Sequence, residues 1–328
     1  MTRLNRYNGL LKSVLAVALT AATATAQSTD LKMLTAWGAN HSGTANMAYG
    51  YNKLVADMTG GKVTIKPSGP EVVPGGKQLQ PVSAGVFDLI YTHGLYHTGT
   101  TGIGAAIDAV DGDIEKRRSS GIWDWVDSHY QKTQNLKVLS IPTATTGFRF
   151  FLKEPMDASK KLSGMKIRAL PSYNKIVASL GGTAVVIPFG ELYSAAEKGV
   201  IDGLVWPSVG AVGFKFHEVT PYLAEPAFGT VSYLIMMNLD KWKTLDKSTQ
   251  TAMLKAGHKL EQDTIGVFNK LLVDETAAMV KGGAKTTSIG YSKAEAHRLF
   301  SERAMEVAVE KSGDVGAAFR DFVAAKGM

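Results

Sequence analysis

Residues 165–206 have the sequence MKIRALPSYNKIVASLGGTAVVIPFGELYSAAEKGVIDGLVW, and the order of structural signals in this stretch decides the fold class. A short strand signal at Lys166–Leu170 ends at Pro171, because proline lacks the backbone donor that a central strand needs. Helix and strand signals then alternate as far as Trp206. A strand–helix–strand–helix–strand order is typical of an α/β domain with a parallel sheet.

Arg168 is placed at the carboxyl end of the first of these strands, the edge at which open α/β sheets bind ligands. A guanidinium suits a carboxylate there, because its planar donors can form two parallel charge-assisted hydrogen bonds. The alternative is a surface arginine that solvates a strand end. Arg149 lies within another predicted strand, Gly147–Leu152, and needs a partner, a cleft or solvent because an unpaired buried charge is costly. An edge-strand arginine facing water is the alternative there.

The same α/β order occurs near the start of the chain. Strand signals at Leu31–Ala36, Val63–Ile65 and Phe87–Tyr91 alternate with helical signals. The chain has 328 residues and no internal repeat or low-complexity linker, so we expect two domains that share crossing segments. The fold class predicted from these patterns is α/β, with a mixed five-stranded sheet in each of two lobes.

Two helices are predicted in the last third of the chain. A long one begins at an Asp246 N-cap and extends toward Lys281, a length that could brace both lobes. Ser292 and Glu295 form a capping-box pattern that begins a last helix, predicted to end at about Lys311.

The first 26 residues are predicted to be an export signal. Arg3, Arg6 and Lys12 precede an apolar run, and Ala24-Thr25-Ala26 is a small-residue cleavage pattern. We therefore expect cleavage near Ala26 and a periplasmic mature protein, since the apolar run is too short to span a membrane comfortably. Removing three basic residues lowers the formal charge from +7 to +4. This mild charge does not favour nucleic-acid binding.

Motifs for several chemistries do not occur in the sequence. There are no cysteines, which excludes disulfides, thiol nucleophiles and thiolate metal sites. No G-x-S-x-G, H-E-x-x-H or phosphate-binding G-x-x-x-x-G-K-[ST] pattern occurs. His93 and His97 are four residues apart, a spacing that could hold a metal on a helix, but they follow a strand in a glycine-rich segment. We expect no metal, no cofactor and no enzymatic activity.

Several segments carry a resemblance to a known family. The chain resembles the solute-binding subunits of tripartite ATP-independent periplasmic (TRAP) transporters, the dicarboxylate-binding-protein (DctP) family, and the likeness extends over nearly the whole mature chain. The matching segments are Gly75-Gly76, Gln78-Leu79, Ala84–Asp88, Gly164–Arg168, Ile187–Tyr193, Gly199–Gly203 and His217–Val219, together with the single positions Asn238, Trp242 and Leu245.

The resemblance implies a fold and a set of ligand-binding residues. The fold is that of periplasmic binding proteins, two α/β lobes around a cleft braced by a long helix. We assign residues 27–147 and 233–272 to lobe I, and 148–232 and 273–328 to lobe II. The family's binding arginine falls on Arg168. The other implied ligand-binding positions are Arg149, Trp206, Trp37, His93, Asn40 and Phe189.

One departure from the family pattern bears on the ligand. The family usually has Glu-Asn-Pro where this chain has Val205-Trp206-Pro207. A large apolar face then replaces a hydrogen-bonding amide, which favours an acid with an apolar or aromatic body over a dicarboxylate or sugar acid.

The resemblance implies capture of a small organic acid anion and its delivery to TRAP permease membrane subunits, by a monomer that binds no nucleic acid. Two alternatives remain at this point. One is an exported enzyme that uses the same cleft, and the other is the binding protein of an ATP-driven importer or a sensor.

Overall fold

The computed structural model describes residues 28–159 and 161–328, so the predicted export signal lies outside the described residues. Two six-stranded sheets organise the fold. The strands are β1 (Thr29–Thr35), β2 (Val63–Ser68), β3 (Leu89–His93), β4 (Leu136–Ser140), β5 (Thr143–Ala144), β6 (Phe148–Leu152), β7 (Lys166–Arg168), β8 (Thr183–Val185), β9 (Gly203–Pro207), β10 (Tyr222–Glu225), β11 (Val231–Asn238) and β12 (Lys285–Ser288).

The helices lie between and around these strands. They are α1 (Tyr49–Met58), α2 (Leu79–Ser83), α3 (Ile103–Ala106), α4 (Ile114–Ser119), α5 (Ile122–Gln134), α6 (Asn174–Ser179), α7 (Leu192–Glu197), α8 (Phe216–Val219), α9 (Leu239–Thr244), α10 (Lys247–Lys281) and α11 (Lys293–Ala325). In the part of the chain that the structure covers, no helix combines the length and apolarity needed to cross a membrane.

Both sheets are built on the predicted β-α-β-α-β order. In the first sheet β1 pairs in parallel with β2 and β3, and in the second β7 pairs in parallel with β8 and β9. An antiparallel strand then joins each unit, β11 beside β3 and β6 beside β9. The fold class, two α/β lobes, is confirmed. We call the part built on the first sheet the first lobe and the part built on the second sheet the second lobe.

The prediction of five strands in each sheet was wrong, because each sheet has six. The short strand β5 pairs with β11, and β12 pairs with β10 at the edge of the second sheet. β5 has only two residues, and the side chains of β12 are mostly exposed. Neither strand therefore has the apolar alternation by which sequence patterns are recognised.

Two antiparallel segments connect the lobes. The chain crosses to the second sheet between β5 and β6, and it returns between β10 and β11. At the crossing, the amide of Phe148 donates to the carbonyl of Phe228 at 2.8 Å, and the amide of Phe228 donates to the carbonyl of Phe148 at 2.9 Å. The two crossing segments are thus hydrogen-bonded to each other where they pass between the sheets.

Arg117 of α4 hydrogen-bonds to the two strands of the first lobe, β5 and β11, that continue into the crossing segments. Its Nη1 donates to the hydroxyls of Thr143 at 2.8 Å and Ser232 at 3.0 Å, which belong to the two different crossing segments. Its remaining donors bind the backbone carbonyls of Ile107, Val110 and Asp111. Burial lowers the pKa of Arg117 to about 10, so the guanidinium stays charged at neutral pH and keeps these bonds.

The long helix α10 was predicted, and it braces both lobes. It begins where expected, with the Asp246 side chain accepting a hydrogen bond from the amide of Thr249 at 2.9 Å. Near its other end, the buried carboxylate of Glu275 accepts bonds from Ser42 of the first lobe and from the amide of Gly210 of the second. One carboxylate on the helix therefore contacts a loop of each lobe.

The last helix starts as predicted, and its first part ends close to the predicted Lys311. The Ser292 side chain caps it by accepting from the amide of Glu295 at 3.1 Å. Gly313 has a non-helical conformation, with φ 54° and ψ −131°, and divides α11 into two helical parts, the second of which ends at Ala325. A residue without Cβ adopts this conformation readily. The second part was not predicted.

Phe300 of α11 fills the space behind the crossing segments. Its ring lies 5.7 Å from the rings of both Phe148 and Phe228 and 5.9 Å from that of Tyr173. A Cβ on Gly229 would lie 2.5 Å from this ring, so the close approach requires glycine.

We predict that Phe300→Ala lowers the free energy of unfolding by about 3–5 kcal/mol, because it leaves a cavity among fully buried aromatic rings. The measurement is urea unfolding followed by circular dichroism. Val315→Ala, at a 42% exposed position of the same helix, is the matched control and should change stability by less than about 0.5 kcal/mol. Equal effects of the two substitutions would contradict this role of Phe300.

Candidate functional site

A small cavity lies between the two lobes, with a free volume of about 20 Å³. This is room for about one water molecule, so the walls must move apart to admit a larger ligand. Its lining residues are Trp37, His41, His93, Leu95, Tyr96, Phe148, Arg168, Leu170, Tyr173, Val205, Trp206, Pro207 and Tyr233. Aromatic rings make up most of the wall, and no aspartate or glutamate is among these described lining residues.

Arg168 provides the positive charge of the cavity. It is the last residue of β7, as predicted, and only 2% of it is exposed. Its Nε donates to the carbonyl of Ile187 at 3.3 Å, and its guanidinium carbon lies 5.8 Å from the centre of the Trp206 ring. No carboxylate forms an ion pair with it within residues 28–159 and 161–328. Burial lowers the pKa of Arg168, while nearby Tyr96 and Tyr173 oppose that shift.

Trp37 and Trp206, the two tryptophans predicted to bind ligand, both line the cavity. Trp37 follows β1, and its Nε1 donates to Tyr96 Oη at 3.0 Å. Trp206 of β9 is 3% exposed, and its Nε1 is buried without a hydrogen-bond partner in the described part of the chain. The hydroxyl of Tyr233 is buried and unpartnered in the same way. A polar atom of a ligand would give these groups the partners that buried polar groups normally have.

His93 lies at the end of β3 and is 5% exposed. Its Nδ1 accepts a hydrogen bond from the amide of Leu95 at 3.2 Å. Its Nε2 lies 3.0 Å from Asp108 Oδ2, within ion-pair distance but without hydrogen-bond geometry. Asp108 in turn accepts from the amide of Ser232 in β11 at 2.7 Å. His93 therefore joins the cavity wall to a crossing strand.

Three of the predicted site residues do not line the cavity. Arg149 of β6 is buried, and its Nη2 lies 3.0 Å from Glu225 Oε1. Asn40 is exposed, and its Nδ2 donates to the carbonyl of Gly213 at 3.2 Å. This hydrogen bond joins a loop of the first lobe to a loop of the second. Phe189 stacks on the Trp206 ring at 5.5 Å with an interplanar angle of 23°.

The sequence patterns missed several lining residues. Tyr233 belongs to the crossing strand β11, whose residues are all buried and carry no alternation that separates cavity from core. Tyr173 follows the strand-ending Pro171, a position that could have suggested the sheet edge. His41 is adjacent to Asn40, so the right loop was identified but the neighbouring side chain reaches the cavity.

The buried histidines near the cavity are held neutral. Burial, together with the nearby His93, lowers the pKa of His41 to about 3, and the same two causes lower that of His97 to about 3. The Nε2 atom of His97 is hydrogen-bonded to the hydroxyl of Thr92 at 2.7 Å. Within the ranges that the structure covers, no group of three histidine or acidic side chains is arranged to hold a metal ion.

Residues 35–311 match the DctP family of bacterial extracellular solute-binding proteins, family 7. The chain belongs to this family. Among curated relatives, the monocarboxylate 2-oxoacid-binding periplasmic protein of Nostoc sp. is 24% identical over 266 residues, 77% of this chain and 72% of that protein. The outer membrane transporter protein TsaT of Comamonas testosteroni is 28% identical over 208 residues, 61% of each chain.

Solved structures of TRAP periplasmic solute-binding proteins share the fold of this family member. One from Desulfovibrio salexigens with bound orotic acid superimposes with a TM-score of 0.78 at 17% identity, covering 90% of this chain and 98% of that one. The periplasmic-binding-protein-like fold that the resemblance implied is therefore confirmed.

We predict a pH dependence of stability that comes from His41. Its folded pKa of about 3 lies below the ordinary value of 6.5, so the unfolded chain binds a proton that the folded chain does not. This contribution to stability is complete above about pH 6.5 and is lost as the pH falls toward 3, by up to about 1.4 kcal/mol per pH unit. Urea unfolding of wild type and His41→Phe at pH 7, 6, 5 and 4 measures it. The difference between the two proteins should change with pH, and parallel stability curves would contradict the assignment.

Proposed function

We propose that this protein is a periplasmic solute-binding protein that captures a small organic acid anion and delivers it to the membrane permease of a TRAP transporter. Membership of the family and the export signal predicted to end near Ala26 support this assignment. The protein returns its ligand unchanged in this proposal, since the family comprises solute-binding proteins. The proposed form is a monomer.

The observation that carries the proposal is the unpaired charge of Arg168. The guanidinium is 2% exposed in a cavity whose described lining residues include no carboxylate. A buried charge without a counter-charge is unfavourable, and an anionic ligand supplies that counter-charge. The planar fork of the guanidinium suits a carboxylate, which can accept two parallel hydrogen bonds.

A monocarboxylate fits this cavity better than a diacid. The second carboxylate of a diacid would need its own cation, and Arg149 and His93 were the candidates from sequence. Arg149 is paired with Glu225, and His93 Nε2 lies 3.0 Å from Asp108. Trp37 and Trp206 offer apolar faces in place of a second cation. The name of the Nostoc relative, a monocarboxylate 2-oxoacid-binding protein, supports the same ligand class.

We predict that Arg168→Ala weakens binding of the ligand by about thirty- to several-thousand-fold, because it removes one partner of a desolvated charge pair, which is worth about 2–5 kcal/mol. Arg168→Lys should also bind poorly, since an ammonium keeps the charge but loses the planar fork. Isothermal titration calorimetry measures both. Arg320→Ala, at an exposed arginine of α11, is the matched control. Near-wild-type affinity of Arg168→Ala would refute the assignment.

We predict that monocarboxylates with branched or aromatic bodies, including 2-oxo and 2-hydroxy acids, stabilise the protein more than succinate or malate does. Each Å² of apolar surface removed from water is worth about 25 cal/mol, whereas a second carboxylate loses its hydration without gaining a free cation. A thermal-shift panel of both classes measures this, because a ligand that binds only the folded state raises the melting temperature. Stabilisation by the small dicarboxylates alone would reverse the proposed selectivity.

We predict that the lobes close on the ligand by bending at the Phe148–Phe228 pair. The ligand contacts residues of both lobes, so it binds the closed form more tightly than an open one and shifts the population toward it. Small-angle X-ray scattering with and without ligand should show a smaller radius of gyration in the bound state and a monomeric mass in both. An unchanged radius at saturating ligand would mean that the site is preformed.

A further inference from the structure

His41 lies at the seam between the two lobes. Its ring stacks on Trp37 with 4.8 Å between ring centres and an angle of 27°, and on Phe214 with 5.7 Å and 17°. Trp37 follows β1 of the first sheet, and Phe214 belongs to the turn after β9 of the second. Neighbours from both lobes therefore hold the imidazole, which is 1% exposed and lines the same cavity as Arg168.

The hydrogen bonds of His41 determine which of its nitrogens carries the proton. Nδ1 accepts from the amide of Thr44 at 3.3 Å, so in the neutral ring the hydrogen lies on Nε2. Nε2 is buried and has no hydrogen-bond partner in the described part of the chain. Gly210 lies beside this edge of the ring, and a Cβ there would lie 3.1 Å from Nε2, so no side chain at position 210 blocks this nitrogen. The neutral His41 ring therefore has a hydrogen-bond donor, Nε2–H, that no described residue satisfies.

The His41 ring and the Arg168 guanidinium both lie near the indole ring of Trp206. The His41 ring centre lies 6.5 Å from that of Trp206, and the Arg168 guanidinium carbon lies 5.8 Å from the Trp206 ring centre. His41 and Arg168 therefore both lie beside the Trp206 ring in one cavity.

We propose that His41 Nε2–H donates a hydrogen bond to an oxygen on the carbon next to the ligand carboxylate, and that this bond selects 2-oxo and 2-hydroxy acids over acids without that oxygen. The inference rests on the proposed function, because it assumes that Arg168 holds the carboxylate. A ligand without this oxygen leaves the buried N–H donor unpaired. Sites built to hydrogen-bond a ligand atom discriminate strongly against analogues that lack that atom. A 2-ammonium group is excluded as well, since it offers only donors to a donor.

The ligand side of the test uses wild-type protein and four probes with one carbon skeleton: 3-methyl-2-oxobutanoate, 2-hydroxy-3-methylbutanoate, 3-methylbutanoate and valine. Isothermal titration calorimetry should show that the first two bind at least about tenfold more tightly than the last two. Equal affinity of wild type for 3-methyl-2-oxobutanoate and 3-methylbutanoate would overturn the proposal without any variant.

The protein side of the test uses two substitutions. His41→Phe keeps a ring between Trp37 and Phe214 but removes the donor, whereas His41→Gln keeps an N–H group near the position of Nε2. His41→Phe should weaken binding of the 2-oxo acid by about ten- to a hundredfold and that of 3-methylbutanoate by less than about threefold. His41→Gln should retain most of the preference. An unchanged preference in His41→Phe would overturn the proposal.

The outcomes separate this inference from the proposed function. If the probes bind wild type in an Arg168-dependent manner and His41→Phe keeps the wild-type preference, only the role of His41 fails. If wild type binds none of the four probes, the monocarboxylate assignment and the role of His41 fail together. Thermal melting of each variant verifies that it is folded before affinities are compared.

Discussion

The buried charge of Arg168, for which residues 28–159 and 161–328 supply no carboxylate partner, is the constraint on which the rest of the site depends. A guanidinium that is 2% exposed loses most of its hydration, and the chain supplies only partial compensation. That compensation consists of one long hydrogen bond to the carbonyl of Ile187 and the face of Trp206 at 5.8 Å, a contact worth about 0.5–2 kcal/mol. We propose that a carboxylate ligand supplies the missing counter-charge; without ligand, the folding free energy of the two lobes offsets the cost of burying the guanidinium.

The architecture makes that arrangement possible by placing strand ends of both sheets around one cavity. β1, β3, β7 and β9 all end there, because the parallel β-α-β-α-β order aligns their carboxyl ends in each sheet. The bridge between Phe148 and Phe228 joins the two crossing segments, and Glu275 of α10 contacts a loop of each lobe.

The sequence predicted those features that depend on local pattern. The strand-end position of Arg168, the strands that end at Trp37 and Trp206, and the starts of both long helices follow from short-range signals such as proline, apolar runs and N-caps. Features set by long-range packing could not be predicted. Arg149 pairs with Glu225, 76 positions along the chain, and His41 of the first lobe stacks on Phe214 of the second, 173 positions along the chain. The two short strands β5 and β12 depend on their neighbours in the same way.

The central claim is that a small carboxylate neutralises Arg168 in the cavity. Mass spectrometry of the small molecules released by denaturing protein purified without added ligand tests it most directly. The account predicts a monocarboxylate at close to one molecule per chain from wild type, and its loss from Arg168→Ala. A neutral or cationic solute, retained equally by both proteins, would contradict the account.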